Sequence, residues 1–158
     1  SQSDHGNALL SRHSIVSFEN QDISDHRLEQ RGLLHGVIKV NGREVHCFVV
    51  HLGLFAGGRV RQIEVMAERI KRMVPDNAPM LIAGDFNDWG TRITRMMQRE
   101  SLHEWPSNAQ PTYPSRLPMV QLDHVYARGL RPVGQMVPRG KIWQRMSDHL
   151  PLLAKFER

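Results

Sequence analysis

The chain predicts a mixed α and β fold built from layered sheets. Three observations predict it: strand-like segments outnumber helical ones, neighbouring strands are joined by short links, and one clear amphipathic helix connects two strands. With 158 residues, 40% hydrophobic and 23% charged, the chain has the size and composition of one folded domain, 1–158, and of neither a disordered nor a fibrous protein.

The elements follow in order. Ser1 to Asn7 is small and polar and leads into Ala8-Leu9-Leu10, which reads as a strand entering a core; Ile15–Phe18 reads as a second strand. Glu19–Gln30 is mostly polar or charged and predicts an exposed loop or edge segment. Gly36–Val40 and Glu44–Leu52 are rich in β-branched and aromatic residues, and Asn41-Gly42 between them tolerates the positive φ angles of a tight turn, so the segment predicts a hairpin. Across Arg59–Val74, apolar Val60, Ile63, Met66, Ala67, Ile70, Met73 and Val74 recur at helical spacing, with a charged outer face including Arg59, Glu64, Glu68, Arg69 and Arg72; Pro75 ends it. Met80–Ala83, stopped by Gly84, predicts a strand covered on both sides. Thr91–Arg99 predicts a second helix, Ala109–Pro118, with its prolines, a loop, and Gln121–Ala127, Leu130–Pro138 and Pro151–Phe156 further strands.

Charge and cysteine usage bound the function. The 17 arginines dominate a formal charge of +5, and guanidinium groups bind phosphate with paired hydrogen bonds; surface decoration explains the same count. The single Cys47 excludes an internal disulfide or a multi-thiolate zinc site and fits a reducing compartment, so a cytoplasmic location is the expectation. No apolar run approaches the roughly 20 residues of a membrane span. The chain opens at Ser1 without a basic-then-apolar leader, so any targeting segment is expected to have been removed or never present.

The chemistry-bearing residues sit where strands stop. Gly84-Asp85-Phe86-Asn87 places a carboxylate and an amide two residues apart, on one side of an extended segment; they suit a magnesium-type ion or a reacting phosphate, or simply an Asx turn. Ser147-Asp148-His149 precedes the apolar Leu150–Leu153 and reads either as a site or as a cap with a surface histidine. Asp123 lies inside a strand and needs a donor, an imidazole or an arginine. His51 closes an apolar strand, where a lone histidine also serves packing. Four strand ends delivering Asp, Asn or His form the pattern of a site assembled at one rim of a layered fold.

In order and approximate spacing, Gly6–Arg12, His51-Leu52, Gly84-Asp85-Phe86-Asn87, Leu122–Val125 and Ser147–Pro151 resemble the endonuclease/exonuclease/phosphatase superfamily. The resemblance implies a four-layer α/β/β/α sandwich and metal-dependent hydrolysis of phosphate esters, with Mg2+ or Mn2+ as cofactor. It further implies that Asp85 orients or deprotonates the attacking water, Asn87 holds a phosphate oxygen or the metal, and Asp148 ligates metal. His149 would donate to the charge developing on phosphorus, Asp123 would orient His149, and His51 would protonate the leaving oxygen. Arg12 and Asn7 would contact phosphate or brace the site.

Members of the superfamily carry an Asn-bearing strand and a metal-binding Glu ahead of the Gly6-Asn7-Ala8 position. The expectation is therefore a carboxy-terminal two-thirds of the domain, without its first strands, that alone is inactive or self-associates through unpaired sheet edges. The expected partner is a phosphate ester, with a nuclease-like phosphodiester first and a phospholipid or small phosphoester as the alternative; a catalytically incomplete binding module is the alternative of another class. Specificity is expected in Asp88–Arg92, Trp105–Pro118 and Gln135–Met146, where Trp89, Trp105, Tyr113 and Trp143 either stack on a ligand or shield the core rim.

Overall fold

The structure, a computed structural model, describes residues 6–25, 29–100, 102–104 and 109–157. Strands β1 (Ser14–Asp22), β2 (Gly32–Val40) and β3 (Arg43–His51) form an antiparallel meander. Helix α1 (Ala56–Met73) crosses to β4 (Met80–Asp85), parallel to β3, and α2 (Arg92–Arg99) leads to the short β5 (His103–Glu104). The antiparallel β6 (Asp123–Arg128) completes a six-stranded sheet of order β1-β2-β3-β4-β6-β5. β7 (Arg131–Met136), α3 (Lys141–Met146) and β8 (Leu153–Glu157) follow, with β7 and β8 paired as a separate two-stranded sheet. The mixed α/β class expected from the sequence holds.

The hairpin sets the register of the sheet. Asn41 and Gly42 take φ of 49° and 82°, the left-handed pair that a two-residue turn requires, and the ladder then runs from Val40↔Arg43 to Leu33↔Val50. Alternation along the central strands divides the sheet into two faces. Phe48, Ile82 and Tyr126 are in register and buried against Ile63, Met66 and Ile70 of α1 and Ile93 and Met97 of α2. Their neighbours Val49, Ala83 and Val125 line the opposite face and are only half-buried. Gly84 has φ of +149°, and an added Cβ would lie 1.9 Å from the Val50 carbonyl, so only glycine allows β4 this close approach to β3 just before Asp85.

Several expectations change. Ala8–Leu10 forms no strand; the tip of Leu9 instead covers Gly36, where an added Cβ would meet it at 2.5 Å. Of the two readings of Glu19–Gln30, loop or edge segment, the edge one holds through Asp22: β1 continues there because its ladder with β2 extends to Asp22↔Gly32, and a polar strand suits an exposed edge. The charged face of α1 is not wholly solvated. Arg69 is 3% exposed and reaches Glu19 at 2.6 Å, while Arg59 is 8% exposed. α3 forms within Gln135–Met146, expected as loop, and Trp105 lies outside the described residues.

Candidate functional site

The sheet register itself assembles the site. His51, Asp85 and Asp123 are direct partners across β3, β4 and β6, two residues beyond Val49, Ala83 and Val125 and therefore on the same face. The 147–150 segment brings His149 over this row: its Nδ1 lies 2.7 Å from Asp123 Oδ2 and its Nε2 3.9 Å from Asp85 Oδ2. His51 Nε2 approaches the same Asp85 oxygen at 3.5 Å. Two imidazoles thus converge on one carboxylate oxygen while a second carboxylate orients one of them.

The environment drives the two histidines in opposite directions. The hydrogen bond that His149 donates to Asp123 raises the His149 pKa above its ordinary value, against partial burial, with the charges of Asp123, Asp85 and Asp148 adding to the rise. Burial lowers that of His51, and the Arg31 cation adds to the lowering. Asp85 is raised, mainly by burial and further by the Asp123 charge, although the Asn87 N–H bond opposes the rise. Separated proton affinities on adjoining groups are what acid and base partners need.

The Gly-Asp-Phe-Asn segment satisfies both of its readings. Asn87 N–H donates to Asp85 Oδ1 at 2.9 Å, an Asx turn, and Asn87 adopts a φ of 47° that asparagine tolerates. Asp85 Oδ2 remains directed at the imidazoles. The Asn87 Nδ2 donates to the Leu52 carbonyl at 2.9 Å, tying the loop after β4 to the loop after β3. Asp123 takes its donors from His149 and Thr112 rather than from an arginine.

The remaining expected residues lie around this cluster. Asp148 is exposed beside His149, with its carbonyl bonded to Ser115 N–H at 2.6 Å. Among the described residues no three His, Cys, Asp or Glu side chains converge to hold a metal, so Asp85 and Asp148, with Asn87 already bonded to backbone, do not complete a magnesium site by themselves. Asn7 donates to the carbonyls of Gly32 at 2.7 Å and Val49 at 3.1 Å and braces β2 against β3. Arg12 is exposed in the bend before β1, outside the hydrogen-bonded cluster.

Sequence reasoning missed the supports. Buried Thr112 donates to Asp123 Oδ2 at 2.6 Å, and its carbonyl accepts Leu150 N–H at 2.8 Å, so it positions both members of the dyad. The Tyr113 ring lies 4.9 Å from that of His149, and Trp89 packs edge-on against Tyr113 at 6.5 Å. Arg59 donates to the Leu54 carbonyl at 2.6 Å and lies 4.0 Å from Asp88, bridging the loops that carry His51 and Asn87. Buried Arg59 could have been suspected only from its place on the apolar side of α1; Thr112, in a proline-rich loop, carries no local signal. Beside His149 a cavity of about 440 Å3 opens between Ala83 and Val125 on the sheet and Trp143, Met146 and Leu152.

Comparison with known proteins gives a consistent picture. A model of the Endonuclease/Exonuclease/phosphatase family matches residues 1–149. The Escherichia coli (strain K12) protein YbhP is 34% identical over 161 aligned positions, covering 96% of this chain and 62% of YbhP, so the chain spans under two thirds of that relative's length. An endonuclease/exonuclease/phosphatase from Bacteroides vulgatus superposes with a TM-score of 0.78 at 16% identity, covering 92% of this chain and 66% of that one. A Bacteroides thetaiotaomicron mannosyl-6-phosphatase superposes at 0.74 with 17% identity, covering 92% and 67%.

Proposed function

This chain belongs to the endonuclease/exonuclease/phosphatase family, and we propose that its strand-end cluster hydrolyses a phosphodiester with an activated water. Members of the family are hydrolases of phosphate esters and generally depend on a divalent metal. Fold alone does not choose the ester, since one neighbour is named a mannosyl-6-phosphatase.

The observation that carries the proposal is the convergence of His51 and His149 on Asp85 Oδ2, with Asp123 behind His149. Asp85, its proton affinity raised by burial, takes a proton from water as the water oxygen bonds to phosphorus. His149, held as a cation by Asp123, donates to the nonbridging oxygen on which charge develops. His51 stands on the other side of Asp85, where the bond to the leaving oxygen breaks and that oxygen needs a proton. A protonated His51 is required there, which burial makes scarcer as pH rises. The binding-module reading draws support from one observation, that no group of three His, Cys, Asp or Glu side chains among the described residues is placed to hold a metal. Magnesium or manganese therefore enters as a condition of the test and not as a step.

The test is release of p-nitrophenol from bis(p-nitrophenyl) phosphate, with magnesium or with chelator, by the chain, expected to be inactive alone, and by a version extended at its amino terminus, each with and without Asp85→Asn. We expect turnover by the extended version that falls by about 10²–10⁴-fold with Asp85→Asn while far-UV circular dichroism is unchanged. Equal rates with and without Asp85→Asn in the extended version would leave the binding module as the reading.

A further inference from the structure

The loops that bring the cluster together share a surface property that the hydrolytic chemistry does not use. Each carries large apolar side chains in solvent. Leu54 and Phe55, 65% and 66% exposed, follow His51; Trp89, 67% exposed, follows Asn87; Leu117 and Met119, 67% and 69%, lie in the turn after Tyr113; Ile142 and Met146, 67% and 71%, stand on α3 just before Asp148 and His149. Hydrogen bonds fix these positions. Met119 N–H bonds the Tyr113 carbonyl, and Ser115 Oγ bonds the Ser147 carbonyl, so the 113–119 turn and the end of α3 flank His149 together.

Charge is distributed with a similar bias. Between 115 and 147 the only acidic residue is Asp123, whereas Arg116, Arg139, Lys141 and Arg145 are basic; Arg128, at the far end of β6, and Arg131, paired with Glu157, lie away from the rim. On α3, Lys141 and Arg145 are spaced four apart, as are Ile142 and Met146, so a cationic stripe runs beside an aliphatic one, and none of the helix residues is buried. Met146 also lines the apolar cavity that ends at His149, which makes the aliphatic surface continuous with the reacting groups.

We propose that this rim is an interfacial surface that seats on an anionic phospholipid bilayer and delivers a headgroup phosphodiester to the site; the delivery rests on the hydrolytic reading above. The cations would face the lipid phosphates while the apolar side chains enter the boundary between headgroups and acyl chains. Aliphatic side chains decide between a bilayer and a nucleic acid. Bases are held by stacking on aromatic rings, and of the exposed rim residues that flank the four groups most are leucine, isoleucine or methionine, which suit hydrocarbon. Among the described residues no helix is long and apolar enough to cross a membrane.

Flotation with phosphatidylcholine vesicles, with or without phosphatidylglycerol, tests the surface. We expect binding that requires phosphatidylglycerol and weakens with salt. The pair Ile142→Asp and Met146→Asp should reduce partition at least about tenfold, and Lys141→Glu with Arg145→Glu about fivefold or more per lost cation. Arg72→Glu, on the exposed face of α1, should leave it unchanged. Because all four rim positions on α3 are exposed, the folded state should survive, and bis(p-nitrophenyl) phosphate turnover should match the parent for the single variant Ile142→Asp, which does not line the cavity. Absence of binding to anionic vesicles, undiminished binding by the Ile142→Asp, Met146→Asp protein, or a stronger dependence of single-stranded oligonucleotide binding on those residues would overturn the proposal. Vesicle binding without turnover of any diester would keep the docking surface and remove the hydrolytic reading; turnover of the soluble diester without vesicle binding would do the reverse.

Discussion

Two histidine pairs occupy opposite faces of the same sheet, and their surroundings give them opposite properties. His35 Nε2 and His46 Nδ1 lie 3.0 Å apart on the helix-covered face, 5% and 7% exposed, with His35 stacked on Phe48 at 4.1 Å. Burial pulls His35 down to about 4 and lowers His46 as well, with the nearest acid, Glu19, engaged by Arg69. His51 and His149 lie at the strand ends on the open face, around Asp85 and Asp123. Here one imidazole is lowered and the other raised. Desolvation, helped by nearby cations, makes a neutral pair that packs; a carboxylate in direct hydrogen bond to one member splits the pair and prepares it for proton transfer.

The sharpest way to break this comparison is to remove one histidine from each pair. His149→Ala should lower the rate of diester hydrolysis by about 10²–10⁴-fold and barely change the unfolding temperature, because the side chain stands at a rim. His35→Leu should do the opposite. It replaces a buried imidazole with an apolar side chain against Phe48 and should leave kcat within a factor of a few. Loss of turnover in a folded His35→Leu protein would erase the distinction between the two pairs.

Acid stability separates the pairs next. His35 binds its proton more weakly in the folded chain than in the unfolded one, whose value is near 6.5, so the unfolded state takes up protons first as pH falls. Its contribution is fully present above about pH 6.5 and is lost progressively toward pH 4, by up to about 3 kcal/mol over that window. His149 has the reverse sign: its raised value favours the folded state below about pH 6.5, and that advantage declines as pH rises through the raised value. Urea unfolding of the parent chain and His35→Leu between pH 4 and 7 checks this. The variant should show a flatter decline, and parallel curves would remove His35 as its source.

Why one pair could be anticipated and the other not follows from what a sequence records. His51, Asp85, Asp123 and His149 each sit at a boundary between an apolar run and a turn or loop, so local pattern marks them, and the Asn41-Gly42 hairpin fixes the register that aligns the first three. His35 and His46 lie inside apolar strands, where no boundary marks them. His46 and His51 also differ in face: five residues apart on a period of two puts them on opposite sides, one under α1 and one in the open. Arg69 looked solvated because its partner Glu19 is distant in sequence and lay in a segment expected to be an exposed loop or edge. The pattern left those two readings open because edge strands need not be apolar.

The smallest expected effect concerns how the split pair is held. Thr112 Oγ1 and His149 Nδ1 both address Asp123 Oδ2, at 2.6 and 2.7 Å, so the threonine shares the negative charge that raises His149. Thr112→Val removes that donor but keeps the shape. The carboxylate then offers its charge to the imidazole alone, and the His149 value rises further; the His149 imidazole titration followed by NMR should move to higher pH, with kcat down about tenfold. Thr112→Ser, which restores the hydroxyl, should return both toward the parent values. A merely structural loss would lower the rate without moving that titration, and that result would place Thr112 with His35 as packing and not with the dyad.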